Sequence, residues 1–212
     1  MSKKQQALAA LFAQCRVIPV LTIARVEDAV PLAEALVAGG LAALEITLRT
    51  EAATEAARAI AKHVPAAIVG MGTVLNARDL AIAEDIGARF ALSPGATPAL
   101  LAAAARSALP FAPGIGTASE AMAALEHGFD ILKLFPAAQA GGIGMARALG
   151  GPFPNLRFCP TGGVNEANAG EWLAEPNIVA VGGSWIAPAA DIRAGAWGRI
   201  AERAKSARAL WT

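Results

Sequence analysis

The sequence is poor in the residues that serve redox and metal chemistry. Cys15 and Cys159 are the only cysteines and show no paired spacing. Each sits in an apolar segment, where a free thiol behaves as a small hydrophobe. The two histidines, His63 (AKHVP) and His127 (LEHGF), fall where a helix should end, just before a proline or a glycine. A positive charge near a helix C-terminus is enough to account for both. With no cysteine cluster and no HExxH pattern, neither a catalytic zinc site nor any other metal is expected. Charge of one sign is also missing: 18 basic against 17 acidic side chains leave a formal net charge of +1. There is no basic run, which argues against nucleic acid and anionic membrane surfaces as partners. The longest uncharged stretch, residues 90–105, carries two prolines and a glycine, so no transmembrane helix is expected. The opening segment MSKKQQALAALFAQCR is cationic, but its apolar part is short and glutamine-interrupted and lacks a cleavage-like site. The expectation is a cytoplasmic protein whose main partner is a small solute.

What is abundant is apolar: 55% of 212 residues, enough for one domain, 1–212, to bury a full core without disulfides. Short apolar runs begin at 17 (VIPVLTI), 43 (ALEITL), 67 (AIVGMGT), 90 (FALSPG), 110 (PFAPGI), 131 (ILKLFP), 157 (RFCPTGG) and 178 (IVAVGGS). Between them lie Ala/Leu/Glu/Arg stretches such as EDAVPLAEALVAGG, whose apolar residues recur at three and four. Each interval therefore holds one amphipathic helix. Eight βα units imply parallel pairing with right-handed crossovers, closing into a TIM (β/α)8 barrel. The N-terminal segment 1–16 adds a helix, over residues 2 to 14, that packs on the barrel. An open doubly wound sheet is the main competitor, but no GxGxxG opens the first helix.

In such a barrel, chemistry belongs to the C-terminal ends of the strands. Period-two alternation in LEITLR puts Leu44, Ile46 and Leu48 on one face and Glu45, Thr47 and Arg49 on the other. The apolar face must meet the helices, so Glu45 and Arg49 are expected to point toward the barrel axis. Charges placed there need pairing or a site, and a buried structural ion pair would satisfy the same pattern. In ILKLFP the alternation turns Ile131, Lys133 and Phe135 inward; of five lysines, only Lys133 lies in a predicted strand. A lysine attacks carbonyls as its neutral amine, and at the reference pKa of about 10.4 only a few in ten thousand are neutral at pH 7. Apolar walls and neighbouring cations favour that form, making an inward lysine a candidate for Schiff-base chemistry. A lysine that merely pairs with Glu45, or reaches out at the strand end, is the plainer alternative. Two Gly-Gly pairs, in PTGG (160–163) and GGS (182–184), fall after the seventh and eighth strands. These loops form the recurrent phosphate site of such barrels, where glycine lets backbone N–H groups approach an anion at a helix N-terminus.

LEITLRT (44–50), IVGMGTVLN (68–76), SPGATP (93–98), KLFPA (133–137), GPFPNLRFCPTGGV (151–164) and GGSW (182–185) resemble the bacterial 2-keto-3-deoxy-6-phosphogluconate (KDPG) aldolases. Nearly the whole chain is covered. The resemblance implies a homotrimeric, imine-forming aldolase that needs no metal or other cofactor. It would release pyruvate and glyceraldehyde 3-phosphate, and often cleave 4-hydroxy-2-oxoglutarate (KHG) as well. It implies that Lys133 is the imine lysine and Glu45 the general acid/base, with Arg49 and Thr73 holding the pyruvate carboxylate. Gly162, Gly163 and Ser184 would meet the phosphate, Thr161 would bear on stereoselectivity, and Pro94 and Phe135 would line the pocket. A galactonate-series aldolase, a sugar-phosphate isomerase or epimerase using Glu45 alone, and a silent phosphate-binding scaffold remain as alternatives.

Overall fold

The computed structural model describes residues 1–211. Helix α1 (Lys3–Gln14) precedes an alternation of strands and helices: β1 (Val17–Leu21), α2 (Ala29–Ala38), β2 (Ala43–Thr47), α3 (Ala53–His63), β3 (Ile68–Gly72), α4 (Ala77–Ile86), β4 (Phe90–Leu92) and α5 (Pro98–Arg106). It continues with β5 (Phe111–Ala112), β6 (Gly114–Ile115), α6 (Ala118–Glu126), β7 (Ile131–Leu134), α7 (Gly142–Gly150), β8 (Arg157–Pro160), α8 (Ala169–Leu173), β9 (Val181–Gly183), α9 (Ala189–Arg193) and α10 (Trp197–Arg208). Helix starts follow capping chemistry. Asn76, Thr97 and Thr117 accept N–H bonds from the first turns of α4, α5 and α6, and Pro98 opens α5 where no donor is needed. Among the described residues no helix is long and apolar enough to cross a membrane.

Every strand pairs in parallel, in two curled sheets ordered β5-β4-β3-β2-β1-β9 and β6-β7-β8. The sequence pattern predicts one strand over the run at 110–115; the structure divides it at Pro113 into β5 and β6. Proline has no N–H for the ladder, so pairing breaks there. Its carbonyl still accepts the Lys133 N–H at 2.9 Å, and the Ser93 hydroxyl accepts the Gly114 N–H at 3.1 Å. At the other margin, parallel bridges Phe158↔Ile178 and Thr161↔Gly182 link β8 to β9.

Alternation separates two cores. Leu44, Ile46, Leu132, Leu134 and Phe158 face the helices, packing in one cluster with residues such as Ala56 and Ile60 of α3. Ile18, Ala43, Phe90, Leu92, Ile131 and Cys159 form a second cluster on the inner face, completed by Leu8 and Phe12 of α1. The inner face thus ends in a plug at the strands' N-terminal side, with Phe12 edge-on to Phe90 at 5.6 Å. Gln5, fully buried, locks this plug in place. Its amide donates to Phe111 O on β5 at 2.8 Å and accepts from Asp130 N and Ile131 N at the start of β7.

Candidate active site

Lys133 and Glu45 occupy the inner face above this plug. Nζ of Lys133 lies 2.7 Å from Glu45 Oε1, with Lys133 3% and Glu45 1% exposed. Their neighbours leave both groups little freedom. The Phe135 ring centroid is 5.6 Å from Nζ, Cys159 is the register partner of Lys133 on β8, and Gly72 packs on the Glu45 carboxylate. Burial, reinforced by the Glu45 carboxylate, pushes the Cys159 thiol up to about 12, so it packs as a neutral wall group and not as a nucleophile. Two polar atoms here are buried without a partner: Glu45 Oε2 and Thr161 Oγ1. Buried polar atoms rarely stay unpaired, so the Glu45 carboxylate keeps capacity for a further hydrogen bond.

At the C-terminal ends of the strands, joined to the pair through Phe135, opens a cleft of about 110 Å³ lined by Val20, Thr22, Arg49, Phe135, Thr161 and the loops Gly162–Val164 and Gly183–Ser184. A second hollow of about 400 Å³ shares Val20, Thr22, Arg49 and Ser184 and extends toward Trp185 and Pro188. Gly162 and Gly163 take φ of +92° and +83°, a left-handed turn that side chains resist. With no Cβ at either position, the backbone of this turn is open to close approach at the cleft wall. A wider groove of about 540 Å³ lies at the opposite end, between α1 and the starts of β3, β4 and β5. It is mainly apolar and brings together no reactive side chains.

Two expectations change against this geometry. Arg49 does not point along the axis with Glu45: β2 ends at Thr47, the chain turns, and Arg49 is exposed at the rim. Its guanidinium has no ion-pair or hydrogen-bond partner among the described residues and faces the cleft shared with the glycine loops. The helix after PTGG starts only at Ala169, because Asn165 and Asn168 close a turn first; the glycine loop and the helix N-terminus are therefore separate. Pro94 and Thr73 are half-buried and, like Lys133 and Glu45, are not among the residues lining this cleft. Pro94 instead backs onto Gly114, where a Cβ would come within 2.3 Å of it. Thr73 follows β3 with φ of +60°, a costly conformation for a β-branched residue and one that clusters at functional sites. Thr22 was overlooked by the sequence reading, although a polar residue just past the end of β1 carries the same signal as Thr47 after it on β2.

The family model for KDPG and KHG aldolase matches residues 8–203. The chain belongs to this aldolase family. It is 50% identical to the KHG/KDPG aldolase of Escherichia coli K12 over 191 residues, 90% of each chain. It is also 50% identical to the 2-dehydro-3-deoxy-phosphogluconate aldolase of Pseudoalteromonas atlantica over 197 residues, 93% of this chain and 92% of that one. Among solved structures, the KDPG aldolase of Legionella pneumophila, with pyruvate captured as a covalent carbinolamine, superposes with a TM-score of 0.91. The two are 46% identical, over 93% of this chain and 96% of that one.

Proposed function

We propose that this chain is a class I aldolase that cleaves KDPG to pyruvate and glyceraldehyde 3-phosphate, and KHG to pyruvate and glyoxylate. The observation that carries the reading is the buried Lys133–Glu45 pair, 2.7 Å apart, with Phe135 between Lys133 and the cleft. Glu45 takes a proton from the Lys133 ammonium, and the free amine adds to the C2 ketone. Loss of water gives the protonated imine. Glu45, again ionised, removes the C4 hydroxyl proton; the C3–C4 bond breaks and its electrons move to the imine nitrogen, releasing the aldehyde. The enamine left on Lys133 takes a proton at C3 from Glu45, and water then frees pyruvate. Arg49 and Thr73 hold the pyruvyl carboxylate, Phe135 and Pro94 bound the pocket, and Thr161 senses the C4 configuration. Gly162, Gly163 and Ser184 receive the phosphate. The reading also includes one closed (β/α)8 barrel over 1–212, with β5 and β6 as one interrupted strand and the β8–β9 bridges as its closure. It further includes a cytoplasmic homotrimer.

Borohydride reduction in the presence of pyruvate tests the central step. One three-carbon adduct per chain on Lys133 is expected by peptide mass mapping, and none in Lys133→Met. An adduct on another lysine, or no adduct, overturns the reading.

A further inference from the structure

The cleft wall contains one hydroxyl whose hydrogen-bonding sense is fixed. Thr47 Oγ1, fully buried, lies 2.8 Å from the Leu21 carbonyl and donates its only proton there. In its 3.2 Å contact with Thr22 Oγ1 it can therefore only accept, so the exposed Thr22 hydroxyl turns its proton to Thr47 wherever that bond is made. Thr22 then presents lone pairs alone to the cleft, where it stands beside Arg49 and Ser184 in both adjoining hollows. Its cleft neighbours include groups that suit an anion: the unpaired guanidinium of Arg49 and the side-chain-free turn of Gly162 and Gly163. An acceptor set among such groups repels an anionic oxygen and calls for a neutral donor placed next to the anion.

We infer that Thr22 is a specificity-determining residue that accepts a hydrogen bond from the substrate hydroxyl adjacent to the phosphate-bearing carbon. This rests on the aldolase reading, in which a six-carbon chain runs from Lys133 up to the glycine loops. KDPG carries such a hydroxyl at C5; KHG has a carboxylate at that position and no proton to give at neutral pH. Thr22 therefore favours the hydroxylated phosphate ester over the short diacid.

Thr22→Val keeps the shape and removes the lone pairs. The ratio of kcat/KM for KDPG over KHG is expected to fall about five-fold, the usual scale for one neutral hydrogen bond, with the change mainly in KM. Thr22→Ser should restore it. A role confined to supporting Thr47 would lower Tm and slow both substrates alike, leaving the ratio unmoved. Wild-type protein that cleaves both substrates while Thr22→Val keeps the same ratio overturns this inference alone. Wild-type protein that cleaves neither overturns the aldolase reading and the inference with it.

Discussion

A methyl group at position 72 would sit 2.2 Å from Glu45 Oε1 and 2.6 Å from its Cγ, so the absence of a side chain at Gly72 sets where the carboxylate rests. Gly72 is a positioning residue in this view, acting through Glu45. Its φ is not left-handed, so alanine fits the backbone and only the carboxylate must move. Gly72→Ala is expected to slow exchange of pyruvate methyl protons into deuterated water by on the order of 10²-fold, the scale of lost general acid/base help. Proton NMR reads the exchange, and an unchanged melting temperature separates the effect from unfolding. Wild-type exchange in the variant would show that the carboxylate finds its place without the glycine. Lys133 and Glu45 themselves were readable in the sequence, because a charge that alternates with apolar neighbours along a strand has one face to go to. Arg49 was not, because alternation lapses where β2 stops at Thr47 and the chain turns.

Among the elements, the strand and helix succession was legible from the two hydrophobic periods, and α1 from its own sequence. The hold of α1 was not. Gln5 reads as an ordinary polar residue on a polar helix face, and only the fold reveals that its amide spans β5 and β7, one strand from each of the two sheets. Gln5→Ala would leave a carbonyl and two N–H groups buried without partners. A loss of roughly 2–3 kcal/mol in urea unfolding is expected, from about 1–3 kcal/mol for each unmet buried group, offset where water enters. A loss under 0.5 kcal/mol would mean that the apolar contacts of Leu8 and Phe12 hold the helix unaided. The division of β5 from β6 was equally hidden. PFAPGI reads as one run, and whether a proline breaks a strand depends on which side the missing donor faces.

At the scale of the whole molecule, the large hydrophobic side chains left exposed are Met1, Val26, Leu75 and Met122, and many surface helices are rich in alanine. Such weakly charged faces are compatible with association of subunits. Light scattering at micromolar concentration is expected to give three times the 21.5 kDa of one chain; a monomer mass would contradict the homotrimer. The plug formed by Leu8 and Phe12 has a further effect on how material moves through the protein. It closes the inner face on the N-terminal side of the strands, opposite the cleft at the glycine loops. In the proposed reaction the aldehyde leaves toward that cleft while the three-carbon fragment stays on Lys133. In the synthetic direction the traffic reverses, and pyruvate must be seated before an aldehyde can follow. In the proposed reaction the covalent bond to Lys133 sets the order of departure, and a helix that takes no part in bond making sets the side from which it happens.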